Sequence, residues 1–235
     1  MRRPSTMKVL LAIVFGGIAT LLAAGYFLGF ITGSYRGKED DGRSESITEL
    51  LKIAPDDHLL GPRDADVVLF EYGDVNCPFC RYLHAKMLRL VENKNHAASV
   101  AWVYRHFPLY AVLESIDLEE RALECAAAQG GDSSFFAYLD KLVADAVEKK
   151  HFTHEQLMRI AEQIGLDARL FSDCLASDAV DSRILRDHRQ GATAGVSTIP
   201  HTFLAGRNGV LQQVVGNKPL SVYEGIINLL QQAHP

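Results

Sequence analysis

The chain has 235 residues, 48% of them hydrophobic, with 24 Lys and Arg against 29 Asp and Glu for a formal charge of −5. These totals exclude a disordered, collagenous or disulfide-dense chain, each of which needs a more biased composition. They also argue against sequence-independent nucleic-acid binding, which depends on Lys and Arg neutralising phosphates. Charge is unevenly spread: Arg2, Arg3 and Lys8 give +3 to a short tail, residues 1–8, and leave −8 for the rest.

Residues 9–35 carry no charge, and 9–32 are almost wholly apolar. At about 1.5 Å per residue such a run spans a hydrocarbon core of about 30 Å, so 9–32 is predicted to be a transmembrane helix. A cleaved signal peptide is the rival, with Ala23-Ala24-Gly25 as its site, but the apolar run continues past that point. Gly25, Gly29 and Gly33 share one helix face, as a close helix partner or the ordinary glycine content of membrane helices would both give. Basic residues flank the run about equally, so charge alone leaves its orientation open.

Residues 33–55 read as a polar, glycine-bearing linker containing a short helix opened by Ser46 and Glu49. A single domain is predicted from residue 56 to 235. Val67 to Tyr72 is a β-rich run; Cys77 to Val91 has helical spacing in Tyr82, Leu83, Met87, Leu88 and Leu90; Ser99 to Tyr104 is a second strand. Together they make one right-handed parallel βαβ unit. From about 113 to 194 the chain is helical: Glu119 to Ala128, Ser134 to Ala146, Leu157 to Ile164 behind a Thr153/Gln156 capping box, Leu166 to Leu175, and Ala179 to His188. Strand patterns return at Thr202 to Leu204 and Val210 to Val215, joined by Gly206-Arg207-Asn208-Gly209, whose Asn-Gly pair suits a hairpin turn with positive φ at both positions. A last helix, Val222 to Gln232, follows Ser221. The fold class is thus α/β, βαβ then ββα with inserted helices, and no internal repeat is present.

Cys77-Pro78-Phe79-Cys80 lies between a strand and a helix. The first cysteine falls at the helix N-terminus, where unpaired N–H groups and the helix dipole stabilise a thiolate. A thiolate attacks or leaves a disulfide readily, so Cys77 reads as the attacked sulfur and Cys80 as its resolving partner. Half a zinc site or two structural cysteines are the alternatives, although zinc would need two more ligands. His151 and His154, three apart, read as solvated surface, as do Lys149 and Lys150.

Phe70 to Cys80 (FEYGDVNCPFC), Tyr104 to Leu109 (YRHFPL) and Gly195 to Phe203 (GVSTIPHTF) resemble the DsbA-like branch of the thioredoxin superfamily, over residues 56 to 233. The resemblance implies a thioredoxin fold, thiol:disulfide exchange, and no bound cofactor or metal. It makes Pro200 a cis proline against the cysteines, and Ile199, Pro200, His201 and Phe79 the substrate-binding surface, with Ile199 offering backbone groups to an extended client segment. Glu71 matches a buried acid that assists proton transfer; a water-facing strand residue is the alternative. Asp74 reads as a turn residue and His106 as structural. His201 is expected to face the site and to stabilise the thiolate when protonated.

Cys125 and Cys174 match family positions that imply a structural disulfide, against two free buried thiols. A catalytic pair plus a staple favours an oxidising compartment, which places the domain outside the cytoplasm and residues 1–8 inside. The resulting expectation is a membrane-anchored oxidase of the cell envelope that acts on cysteine-containing proteins and is recharged by a membrane redox partner. A reductase or isomerase held reduced by a membrane donor, and a non-catalytic client-binding chaperone, are the alternatives.

Overall fold

Val67–Gly73 (β2) and Val100–His106 (β3) are buried along their whole lengths because both faces of their sheet are covered. The computed structural model describes residues 47, 49–93, 99–108, 116–146 and 151–232. The tail, the apolar run 9–32 with its three glycines, Ser46, Lys149 and Lys150 lie outside the described residues, as does the expected start of the helical block near residue 113. Among the described residues no helix is long and apolar enough to cross a membrane.

The sheet has five strands: β2 and β3 pair in parallel, and His58–Leu60 (β1), His201–Gly206 (β4) and Leu211–Val215 (β5) add antiparallel, in the order β1-β3-β2-β4-β5. Pro78–Glu92 (α1) crosses from β2 to β3, and the insertion follows as Leu118–Asp145 (α2), His154–Gln163 (α3), Ala168–Leu175 (α4) and Asp181–Thr193 (α5). Leu220–Gln232 (α6) closes the fold. β1 has only three residues, too few for an alternating pattern to show.

Strand alternation divides the core in two. Val67, Leu69, Val100 and Trp102 face α1, the inserted helices and Tyr223, Ile227 and Leu230 of α6. Val68, Phe70, Tyr72 and Val103 face Phe107, Ala194, Val196 and Ile199.

The second face corrects the linker reading. Leu51 is buried there, Ile47, Leu50 and Ile53 pack beside it, and Arg105 donates to the Leu50 and Lys52 carbonyls and to both Asp57 oxygens. Four apolar side chains within seven residues supply what the polar stretch before them lacks, so the folded unit includes residues 47 and 49–55.

Other boundaries shift for local reasons. The two helices expected between 119 and 146 are both present within α2, separated where the backbone leaves helical geometry at Gly130 (φ −137°, ψ 17°) and Gly131 (φ 62°, ψ −152°). The Thr153/Gln156 capping box forms at α3. Asp167 caps α4 by accepting from the Leu170 N–H at 2.8 Å, which sets its start two residues after Leu166. Ser221 lies inside α6 rather than before it. In the β4–β5 hairpin only Gly209 has positive φ, at 80°, and Asn208 does not. Gly209 N–H bonds the Gly206 carbonyl and Gly206 N–H bonds that of Val210, which is a three-residue loop with glycine in the left-handed place.

Candidate active site

Cys77 is the N-cap of α1, with extended backbone (φ −81°, ψ 117°) and Pro78 behind it in the first turn. Proline suits that position because its missing N–H would have had no helical partner. Both active-site cysteines are free thiols, Cys77 half-buried and Cys80 buried. The Cys80 thiol donates to the Cys77 sulfur; the Cys80 and Phe79 N–H groups and the Arg81 charge add to this, and against some burial they pull the Cys77 pKa from 9.0 to about 6. Burial, then the neighbouring Cys77 sulfur, push Cys80 far the other way. One sulfur is therefore an anion at neutral pH and its partner a proton donor.

The loop before the helix is fixed from several sides. Asp74 Oδ1 accepts from the Asn76 N–H at 2.7 Å, the turn role expected of it. Arg81 donates to the carbonyls of Val75 (2.9 Å), Asn76 (3.3 Å) and Ala146 (2.6 Å). A side chain of α1 thus ties the cysteine loop to the end of α2.

Glu71 is 1% exposed, which excludes the water-facing alternative. It follows Val67 and Leu69 on the face toward α1, and burial raises its pKa from 4.5 to about 8, Trp102 opposing and the Cys77 charge adding. Near neutral pH it exchanges a proton easily, as a group serving Cys80 must.

The Ile199–Pro200 peptide bond is cis. Ile199 shares the second core cluster with Cys80, and Cys77 packs against that cluster, so the proline before β4 and the cysteine pair after β2 lie at the same end of two neighbouring interior strands. His201 is buried at the start of β4. Its ring stacks on Phe203 at 4.6 Å and its Nε2 lies 3.3 Å from Gln213 Oε1. Burial lowers its pKa below 6.5, Gln213 partly offsetting. That shift disfavours the cationic form on which the expected thiolate stabilisation depends, and the stacking on Phe203 packs the ring into the sheet.

Phe79 is 62% exposed and Tyr82 66%. Helical spacing predicts Tyr82 inward; the structure turns it outward, three residues from Phe79 and on the same face. The two rings make an apolar surface beside Cys77, and the available signal was that spacing.

His106 is wholly buried and structural. Its Nδ1 meets Glu120, its Nε2 lies 2.7 Å from Glu124 Oε1, and burial, which would lower its pKa, is overcome by the two carboxylates, raising it to about 10. Among the described residues His58, His106 and Glu124 form the one group with metal-ligand spacing. Glu124 Oε1, however, already meets His58 Nε2 at 2.8 Å and Arg183 Nε at 3.1 Å, and a cation there would face that guanidinium. The group reads as an ion network joining β1, β3, α2 and α5. His151 stands apart, 68% exposed and 3.6 Å from Glu119.

Cys125 of α2 and Cys174 of α4 are joined by a disulfide, Cα atoms 5.8 Å apart, inside the insertion.

Residues 54–214 match the thioredoxin family model. With the sheet, the Cys-x-x-Cys helix start and the cis proline already in place, the chain belongs to the thioredoxin family. Its inserted helices give it a fold similar to that of solved DsbA proteins. It is similar to α-DsbA1 of Wolbachia pipientis (TM-score 0.64, 20% identity, covering 78% of this chain and 94% of that one) and to DsbA2 of Pseudomonas aeruginosa (0.61, 23%, 77% and 98%). A thioredoxin-like oxidoreductase of Silicibacter pomeroyi is also similar (0.62, 24%, 81% and 98%). In sequence it matches the Na(+)/H(+) antiporter NhaA 3 of Salinispora tropica, 34% identical over 168 residues, 71% of this chain and 24% of that protein. The antiporter NhaA of Herminiimonas arsenicoxydans is 30% identical over 207 residues, 87% of this chain and 30% of the other. The chain thus spans under a third of the curated relatives it matches.

Proposed function

We propose that this chain is a thiol:disulfide oxidoreductase that exchanges disulfides with cysteine-containing proteins through Cys77 and Cys80, working as an oxidase. The observation that carries the reading is the opposite tuning of the pair: Cys77 lowered to about 6 and Cys80 raised. In the oxidised enzyme a client thiolate attacks Cys77 Sγ; the Cys77–Cys80 bond breaks and Cys80 takes up a proton. A second client thiolate then attacks the client sulfur of the mixed disulfide, and Cys77 leaves as a stable thiolate. A stabilised leaving thiolate favours the reduced enzyme, which is the thermodynamic mark of an oxidant. Pro200, Ile199 and the exposed Phe79 and Tyr82 form the surface for the client chain.

The anchor 9–32, a domain outside the cytoplasm, and a membrane partner that reoxidises the pair belong to the same proposal. The apolar run and the use of two cysteines as a staple support them.

Equilibration of the Cys77/Cys80 pair with glutathione gives its reduction potential. A value well above that of thioredoxin, about −270 mV, is expected; one at or below it assigns the chain to the reductase reading. Cys80→Ser is expected to trap mixed disulfides that Cys77→Ser abolishes. Retained biological activity in Cys77→Ser would instead assign a non-catalytic, client-binding role.

A further inference from the structure

We propose that His84 and Asp140 are the proton exit of the active site, connected to Glu71 and Cys80 by one water held between Glu71, His84 and Tyr104. The inference rests on the exchange reaction proposed above and names the route by which its proton reaches solvent.

Every turnover moves a proton at a buried place. When Cys80 resolves a mixed disulfide, its S–H gives the proton to the Glu71 carboxylate and its sulfur attacks Cys77 Sγ. The Cys77–Cys80 bond forms, the Cys77–client bond breaks, and the client leaves as a thiolate with the electron pair. Glu71 now holds a proton and, at 1% exposure, has no direct way to lose it. In the opposite direction it must be resupplied. A buried acid that cycles needs a relay.

The walls of one small cavity supply it. Glu71, Cys80, His84 and Tyr104, with the charged Asp74 and Arg81 beside them, line a space of about 10 Å³, close to what a single water needs. Three polar atoms of these residues, Glu71 Oε2, His84 Nδ1 and Tyr104 Oη, are buried without a hydrogen-bond partner. Three partners are what a buried water ordinarily has. Glu71 and Tyr104 stand opposite each other across β2 and β3, and Gly73 keeps their ends free: a Cβ there would lie 3.1 Å from Glu71 Oε1 and 3.5 Å from Tyr104 Oη.

His84 carries the path outward. Its Nε2 lies 2.5 Å from Asp140 Oδ1; the tautomer with the proton on Nε2 donates to that carboxylate and presents the Nδ1 lone pair to the water. The His84 side chain is 7% exposed and that of Asp140 49%, so the pair runs from interior to solvent. A proton arriving at Nδ1 releases the Nε2 proton to Asp140 or to bulk water, and no oxidant or reductant is needed beyond the exchange itself. Packing of the ring against Trp102, at 5.3 Å between centroids, is the rival explanation for a buried histidine.

The test uses the full chain with a glutathione mixed disulfide at Cys77, whose resolution by Cys80 is followed by stopped flow across pH in H2O and D2O. His84→Phe keeps an aromatic ring against Trp102 but cannot pass a proton. It is expected to slow resolution near pH 7 by about tenfold to a hundredfold, to shift the pH profile, and to be rescued in part by added imidazole. The first attack at Cys77 and the Cys77 thiolate titration are expected to stay as in the parent chain. Asp140→Asn, at a half-exposed position that tolerates change, is expected to show the same effect more weakly and serves if His84→Phe does not fold. Unchanged resolution rates and isotope effects in the folded variant, or altered thermal stability alone, would overturn the relay. Absence of exchange in the parent chain would instead overturn the oxidoreductase reading beneath it.

Discussion

Cys77 and Glu71 are both acids, and the same fold moves them in opposite directions. Cys77 is lowered from 9.0 to about 6 by the Cys80 thiol and helix-start N–H groups, so its ionisation stabilises the reduced fold. That contribution is complete above the unfolded value of 9 and is lost as pH falls through 6. Titration of thiolate absorbance in the reduced protein is expected to give a midpoint near 6 that disappears in Cys77→Ser. Glu71, raised from 4.5 to about 8 by burial, has the reverse sign. Below pH 4.5 it costs nothing, and the cost grows as pH rises toward 8, on the order of 3 kcal/mol at pH 7. Glu71→Gln is therefore expected to raise stability at pH 7 by up to that amount and to leave it nearly unchanged at pH 4.5, as denaturant titrations at the two pH values would show. The same substitution is expected to slow the Cys80 step, because Gln cannot take a proton; a variant both more stable and less active separates a functional acid from a structural one.

At the scale of elements, the insertion is fixed to the sheet by close approach and held together internally by a covalent staple. Gly191 of α5 lies so near β2 and the end of β3 that a Cβ would come within 2.7 Å of Phe107 and 2.8 Å of Tyr72. Gly191→Ala must push two packed rings and is expected to cost about 1–3 kcal/mol, read as a lowered denaturant midpoint at unchanged slope. Replacing Cys125 and Cys174 by Ser reopens a loop of sequence separation 49 and is expected to cost about 4 kcal/mol in the chain-entropy model. Apolar periodicity made these helices legible, and the Thr153 capping box fixed one start to the residue. It placed the break between the first two near Gly130 and Gly131, whose backbones are not helical, but did not show the geometry of that break. Nor could it show why Glu119, Glu120, Glu124 and Asp187 are buried: their partners lie at the Phe152 N–H, on β3 and on α5, and pairs so far apart in sequence leave no local signal. The cysteine motif and Pro200 were legible because their chemistry lies in adjacent residues.

At the scale of the whole molecule, the second face of the sheet is closed by the segment before β1, and Arg105 is what holds it. The guanidinium is 1% exposed, lies 4.9 Å over the Phe70 ring, and bonds both Asp57 oxygens (3.0 and 2.8 Å), the Leu50 and Lys52 carbonyls, and the Tyr72 hydroxyl at 3.0 Å. Composition marked residues 33–55 as linker because polar residues dominate the whole stretch; the four apolar side chains at its end become informative only once an arginine on β3 faces them. Tyr72 shares its core cluster with Cys80 and Ile199, so the segment rests on the same packed face as the active site. Arg105→Leu removes the cation and strands the Asp57 carboxylate, 1% exposed, among apolar groups. The expected cost is about 3–5 kcal/mol, because a buried charge that loses its partner pays the full desolvation penalty. Adding Asp57→Asn is expected to recover part of it, which a simple packing defect at Arg105 would not allow. Hydrogen exchange locates the effect: amides of residues 49–57 are expected to lose protection first, while α1 keeps its own until global unfolding. Uniform loss of protection across both would mean that the segment and the cysteine helix unfold as one unit.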